Sequence, residues 1–251
     1  MNRACFLGYP VDNVSEEDTL QWIRGSIKNA ERRIIAVTNA NKLWQAHKDP
    51  ILSEFLKKAD LVLPEYAVVW GAMRLGISLT HSGGFMVLKA FLPFAEKEQI
   101  RPYFLGAKPG VLEKMMARIS LAYPGLPICG FHHGYFADGE PKMAIIDELR
   151  ERRPDILFIA MGSPKQEYLM AELRERLSIP VMIGVGGSFD VISGDKKDAP
   201  SWVRGTGLEW IYRIYQDPLN FNYLKRYLIT NTWFIWQILK QKIRQGQCRA
   251  N

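Results

Sequence analysis

The chain has 251 residues, enough for one large domain or two small ones, and its 47% hydrophobic and 24% charged residues fit a globular protein rather than a disordered or fibrous one. No window approaches the roughly 18 consecutive apolar residues of a membrane-spanning helix, and the opening MNRACFLGYPVDN is too short an apolar run for a secretory leader, so the expected location is the cytoplasm. Three scattered cysteines argue against a disulfide frame or a zinc site, and from Trp202 onward eight Lys and Arg against two acids carry +6 of the net +7, which makes the tail the part suited to an anionic partner.

Taken in order, the chain repeats one pattern: a short apolar run, a turn, then a helical period. RIIAVTNANKLWQAH runs extended to Val37, turns at Thr38-Asn39 and continues as a helix. ADLVLPEYAVVWGAMRLG does the same around Pro64-Glu65, and PYFLGAKPGVLEKMMARISLAYPG turns between Gly106 and Gly110 and ends before Pro124. LPICGFHHGYF supplies a strand and turn before a helix from Lys142 to Arg152. DILFIAMGSPKQEYLMAELRERL and PVMIGVGGSFDVISG complete the series. Strands alternating with helices predict an α/β fold with a mainly parallel, Rossmann-like sheet and flanking helices. Such sheets bind ligands beyond the carboxyl ends of their strands, where strand order reverses. The unusual polar residues fall at those ends: Asn39, Glu65, the Gly106 loop, His132-His133, Gln166 and the turn from Gly184 to Asp190.

After Pro200 the pattern changes to a basic, aromatic-rich helical region, read as helices over 207–216, 219–228 and 232–244. The expected organisation is therefore an α/β domain over 1–200 and a helical appendage over 201–251. Trp233, Phe234, Trp236 and Ile238 with Lys240, Lys242 and Arg244 fit an amphipathic basic helix at an anionic membrane interface. Packing of those aromatics on the body is the plainer alternative. Nucleic acid is not the expected partner, because no RNP-type or Gly-loop signature accompanies the basic residues.

Each polar candidate has a local reading and a functional one. Ser163-Pro164-Lys165-Gln166 fits a capping box, with Ser163 as N-cap and Gln166 reaching back; the same helix start is also suited to an anion, with Lys165 adding charge. GVGGSFDVISG resembles a phosphate loop without the full G-x-G-x-x-G pattern. His132-His133 lack the partners of a metal set, and no Asp-x-Asp pair for a metal–nucleotide diphosphate occurs anywhere. Glu65 is a general base if burial tunes it, or a solvated first-turn residue favouring the helix dipole. Asn39 is a turn residue on local grounds.

Together FLGAKPG, HHGYF, PDILFIAMGSPKQE, IGVGGSFDVISG and GLEWIYRIYQDP resemble, in order and spacing, the WecG/TagA/CpsF family of bacterial glycosyltransferases (glycosyltransferase family 26), over residues 34–228. The resemblance implies an inverting, metal-independent and cofactor-free transfer of an N-acetylmannosamine-type sugar or a uronic acid. The donor it implies is a UDP-sugar. The acceptor is a polyprenyl-diphosphate-linked saccharide at the inner face of the cell membrane, where the protein is peripheral and serves polysaccharide or cell-envelope glycan synthesis. Residue by residue, Asn39 matches the family's Thr-x-Asn turn, beside Thr38, with Val37 where the Thr usually stands. Gln166 and Glu167 match Pro-Lys-Gln-Glu, the Gln contacting substrate, with Lys165 beside them. Gly186, Gly187, Phe189 and Asp190 match the glycine turn that cradles the nucleotide diphosphate. Gly106 and His133 belong to the substrate-binding set, and Arg204, Arg213, Lys225 and Arg226 to the region meeting the lipid diphosphate or membrane.

Two departures stand out. The family's Asp-Gly after the second strand, whose Asp is the proposed base, is here Pro64-Glu65-Tyr66, one residue shorter. Its Gly-x-Asp-Leu segment is here THSGGFM, with Gly in place of Asp. Glu65 as a replacement base gives an enzyme with altered specificity. The rival reading is a non-catalytic nucleotide-sugar-binding or scaffold relative in an assembly complex. Association of several copies of the chain is left open.

Overall fold

The apolar runs expected as strands come together in one sheet. The computed structural model describes residues 2–200, 203, 206, 209–216 and 221–250, with side chains beyond 206 described at 211, 212, 214, 215 and 224–244. In chain order the elements are β1 (Asn2–Phe6), β2 (Tyr9–Asn13), α1 (Glu16–Lys28), β3 (Arg33–Thr38), α2 (Ala40–Lys48), α3 (Pro50–Lys58), β4 (Leu61–Pro64), α4 (Tyr66–Arg74), α5 (Gly84–Glu98), β5 (Pro102–Gly106), α6 (Pro109–Ala122), β6 (Gly130–His132), α7 (Glu140–Arg152), β7 (Ile156–Ala160), α8 (Lys165–Arg176), β8 (Val181–Gly184), α9 (Ser188–Ser193), α10 (Glu209–Gln216) and α11 (Phe221–Ala250).

The sheet has six strands in the order β4-β3-β8-β7-β5-β6, and every pairing is parallel. A parallel sheet covered by helices on both faces buries both sets of side chains, so its strands read as unbroken apolar runs. Ile34, Ala36, Val62, Leu157 and Met182 face one apolar layer, under α2, α3, α7 and α8. Ile35, Val37, Leu63, Phe158 and Ile183 face the other, under α1, α5, α6 and α9. The adjacent strands β3 and β8 lead to helices on opposite faces: Leu43 of α2 lies in the first layer and Phe189 of α9 in the second. Their outgoing loops therefore diverge and open a crevice above the strand ends.

The antiparallel hairpin β1–β2 has no counterpart in the sequence pattern. It turns through Leu7 and Gly8, both at positive φ, the two-residue primed geometry that suits a hairpin twist. Asp12, buried in β2, accepts from Arg3 and from the Val62 N–H of β4. This fastens the hairpin beside the outer strand of the sheet and covers an edge that otherwise invites pairing.

The helices expected at 219–228 and 232–244 form one helix, α11. Thr230 and Asn231, which on sequence suggest a break, donate back to the Tyr227 carbonyl within the helix. Phe234 and Ile238 are buried against the body, where Gly71 of α4 has no side chain to obstruct them and Phe6 meets the Phe234 ring at 5.9 Å. The packing alternative thus describes one face of the helix. On the outer face Leu228, Ile235, Trp236, Leu239 and Ile243 are exposed. Phe234→Ala should cost about 3 kcal/mol and speed amide exchange over 224–244 before exchange rises in the sheet, measured by hydrogen–deuterium exchange.

Candidate active site

The crevice above β4, β3, β8 and β7 holds a cavity of about 440 Å³. Asn39 and Lys42 reach it from the start of α2, and Glu65 and Tyr66 from the end of β4. Gln166 comes from α8, Gly186 and Gly187 from the turn after β8, and Arg226, Tyr227, Thr230 and Asn231 from α11. The terminal helix is therefore a wall of the site. Lys42, Lys196 and Arg226 face it with the acids Glu65 and Asp198.

Asn39 is the N-cap of α2, its side-chain oxygen accepting the Lys42 N–H at 2.9 Å. Glu65 stands at the N-cap position of α4 without capping it. Its carboxylate turns instead toward the start of α5, where Oε1 accepts the Gly84 N–H at 3.3 Å. The local expectation of a solvated first-turn Glu favouring its own helix is thereby replaced. A Cβ on Gly83 would lie 2.8 Å from the Glu65 carboxylate, so the glycine makes room for the acid.

The capping box expected at Ser163 does not form. The N-cap of α8 is Pro164, with no side-chain capping bond. Gln166 is pulled elsewhere: its Oε1 accepts the Gly186 N–H at 3.2 Å and its Nε2 donates to Glu167 at 2.9 Å. Gly184 lets that amide press on β8, since a Cβ there would meet Gln166 Nε2 at 2.7 Å. Glu167, wholly buried, also takes Lys42 Nζ at 2.5 Å, and Lys42 is only 4% exposed. Burial pushes the Glu167 carboxyl up, but the Lys42 charge and the hydrogen bonds from Lys42 and Gln166 outweigh it and hold the group below the usual carboxylate range. The chain Lys42–Glu167–Gln166–Gly186 ties α2, α8 and the glycine turn together under the cavity floor.

Gly186, at φ +54°, and Gly187 form that turn. Asp190 sits behind it and pairs with Lys196 at 3.5 Å. Thr38 is buried under the lining, its Oγ1 without a hydrogen-bond partner among the described residues. Gly106 ends β5 and His133 follows β6, on the far side of the sheet, and neither is in the lining. Gly106 (φ +141°) instead lets β5 approach β7, since a Cβ would lie 2.5 Å from the Ala160 carbonyl oxygen. Lys165 and Lys225 are exposed outside the lining. Arg204 and the Arg213 side chain lie outside the described residues. Lys42 and His81 carry no signal of their own in the sequence, because what gives them meaning is a partner distant in the chain, and Gly83 is marked there only as part of the THSGGFM departure. Among the described residues no group of three or more His, Cys, Asp or Glu is placed to hold a metal ion.

A parallel sheet whose polar, mixed-charge cleft lies past the carboxyl ends of its strands, with the carboxylates of Glu65 and Asp198 in its lining, defines a ligand-binding α/β enzyme class. Within it, the chain belongs to the WecG/TagA/CpsF family of glycosyl transferases, whose family model matches residues 4–248. The match runs past the expected 34–228 to take in most of the hairpin and most of α11. The chain is 34% identical over 187 residues to a Bacillus subtilis (strain 168) N-acetylglucosaminyldiphosphoundecaprenol N-acetyl-beta-D-mannosaminyltransferase, covering 74% of this chain and 72% of that protein. A Bacillus spizizenii (strain ATCC 23059 / NRRL B-14472 / W23) protein of the same description is 30% identical over 210 residues, 83% of this chain and 79% of the relative. The protein is a glycosyltransferase.

Proposed function

We propose that the chain transfers a sugar, of N-acetylmannosamine type or a uronic acid, from a UDP-sugar to a polyprenyl-diphosphate-linked saccharide, with inversion and without a metal. The observation that carries this reading is the meeting of Asn39, Glu65, Gln166 and the Gly186 turn around one cleft, in a chain whose relatives are named for transfer to a diphosphoundecaprenol-linked sugar.

Glu65 takes the proton of the acceptor hydroxyl as that oxygen bonds to the anomeric carbon. The bond from that carbon to the nucleotide diphosphate breaks, and the diphosphate leaves with its electron pair. Positive groups aimed at the leaving oxygens stabilise the developing charge. Lys196, which pairs with Asp190, and Arg226 bring positive charge to the cleft, and Lys42, bound to Glu167, lies beside them. The two departures from the family pattern meet in space: the longer Glu65 side chain lands on Gly83-Gly84, the segment where the family's Asp is replaced. This supports Glu65 as the base.

The helix that contributes Arg226 to the cleft carries the apolar stripe Leu228, Ile235, Trp236, Leu239 and Ile243 on its outer face, flanked by exposed Lys225, Lys240 and Lys242. Basic residues beside an aromatic and aliphatic stripe suit an anionic bilayer surface. No helix among the described residues is long and apolar enough to cross a membrane. On this reading residues 201–251 act as a membrane-contacting appendage that also covers the site built on residues 1–200.

The test is UDP release from a panel of UDP-sugars, UDP-N-acetylmannosamine and UDP-glucuronic acid among them, with polyprenyl-diphosphate N-acetylglucosamine as acceptor. Release that needs both donor and acceptor and survives EDTA is the expected result. Saturable donor binding with no turnover on any pair would sink the catalytic assignment of this cleft.

A further inference from the structure

We infer that His81 is a positioning residue for Glu65, its Nε2–H directed at Glu65 Oε2 to fix the carboxylate for the incoming acceptor hydroxyl. The inference rests on the reading of Glu65 as the base.

His81 lies in the segment between α4 and α5, and its side chain is largely buried although it borders the cleft. Its ring stacks on Tyr66, with centroids 3.4 Å and planes 3° apart. Tyr66 follows Glu65 directly, so one stretch of backbone carries both the carboxylate and the surface that orients the imidazole. Nε2 stands 3.8 Å from Glu65 Oε2, is buried, and has no hydrogen-bond partner among the described residues. A buried ring nitrogen without a partner is costly, and the carboxylate is the acceptor the geometry offers it.

Electrostatics then selects the tautomer. With its proton on Nδ1, the ring would turn the Nε2 lone pair toward a carboxylate oxygen, and two acceptors would face each other. With the proton on Nε2, a donor faces an acceptor. The gap exceeds a hydrogen bond by about an ångström, and catalytic hydrogen bonds are commonly long before substrate is bound. The carboxylate is then held from two sides, by the Gly84 N–H on Oε1 and by His81 on Oε2, against a backbone left bare at Gly83. His81 neither gains nor loses a proton in the reaction. It acts through Glu65.

The test uses the full chain, with UDP-N-acetylmannosamine and polyprenyl-diphosphate N-acetylglucosamine as the first pair tried. His81→Phe keeps a ring for Tyr66 and removes the donor. It should lower kcat by roughly 10- to 100-fold, the scale of a misplaced catalytic group. The donor KM should stay within about twofold. His81→Gln, which places an amide N–H near the Nε2 position, should recover most of the loss, and His81→Phe added to Glu65→Gln should cost nothing further. Wild-type turnover in His81→Phe beside an inactive Glu65→Gln would overturn the inference and leave the base assignment standing. Full activity of Glu65→Gln would overturn both.

A second readout needs no turnover. Nitrogen–proton correlation spectra of the imidazoles, with His81 identified among the four histidines by its disappearance in His81→Gln, report the tautomer above the histidine titration range. A protonated Nε2 is expected. A neutral ring with its proton on Nδ1 would overturn the inference whatever the kinetics.

Discussion

Replacing Glu65 by Gln is expected to lower the transfer rate by about 10²- to 10⁴-fold, the usual contribution of a positioned general base, while leaving the fold and donor binding intact. Gln keeps the shape and can still accept the Gly84 N–H, which the carboxylate does at 3.3 Å. What it cannot do is take a proton. The loss should therefore appear in kcat and in kcat/KM equally, the mark of an interaction made in the transition state. The check is initial-rate UDP release beside thermal denaturation of the same preparation. A variant that unfolds earlier than the wild type would make the rate loss uninformative, but the partly exposed position of Glu65 at the cleft rim argues against that. Glu65→Asp distinguishes reach from chemistry: the shorter acid keeps the proton acceptor but draws back from Gly83-Gly84, and should fall between Gln and wild type.

Lys42→Met should be the most destabilising of the substitutions considered, costing about 3–5 kcal/mol, the range for removing one partner of a buried ion pair. For a chain of this length that corresponds to a fall in melting temperature on the order of 10 °C. The cost arises from what remains: Glu167, with no exposed surface, would be left charged without its cation. The pH dependence has a definite sign. In the wild type the Glu167 carboxyl is held below its usual range, so its contribution is present above the unfolded value and fades as pH falls through the depressed folded value. In Lys42→Met burial outweighs the remaining Gln166 hydrogen bond and pushes the carboxyl up. Stability is then lost at neutral pH and partly regained on acidification, as Glu167 takes up its proton. Melting temperature against pH for the two proteins tests this, and adding Glu167→Gln to Lys42→Met should recover part of the loss. Because Glu167 also holds Gln166, and Gln166 the Gly186 turn, activity should fall even at temperatures where the variant remains folded.

Much of the site is legible because of where its residues fall in the chain. Asn39, Glu65, Gln166 and Gly186 each follow an apolar run, and in a parallel α/β sheet those positions share one edge. Gly106 and His133 satisfy the same rule, yet lie away from the cleft. Their strands, β5 and β6, are at the far side of the sheet, and strand order is not written in any local pattern. Gln166 shows the limit from another side. Its spacing from Ser163 fits a capping box, but the Gly186 N–H in the turn after β8 and the Glu167 carboxylate hold its amide instead. The hairpin is hidden because its turn places Leu7, not Asn or Gly, at positive φ, a choice that tertiary packing enforces against local preference. His81 and Lys42 are silent in the sequence for the same reason. One gains its role from a stack on Tyr66 and the approach to Glu65, the other from an acid 125 positions later in the chain.

By itself the sequence determined the alternation of strand and helix, the two buried faces of the sheet, the basic character of the tail and the family motifs. These depend on burial and short-range periodicity, which neighbouring residues express directly. Only the tertiary structure decided which strand ends face one another and that α11 walls the cleft while turning an apolar stripe outward. It also decided that Glu65 rests on Gly83-Gly84 and that Lys42 neutralises Glu167. Those outcomes depend on the order of strands and on contacts between distant segments, where the energy of a charge or a donor is set by a partner that local sequence does not specify.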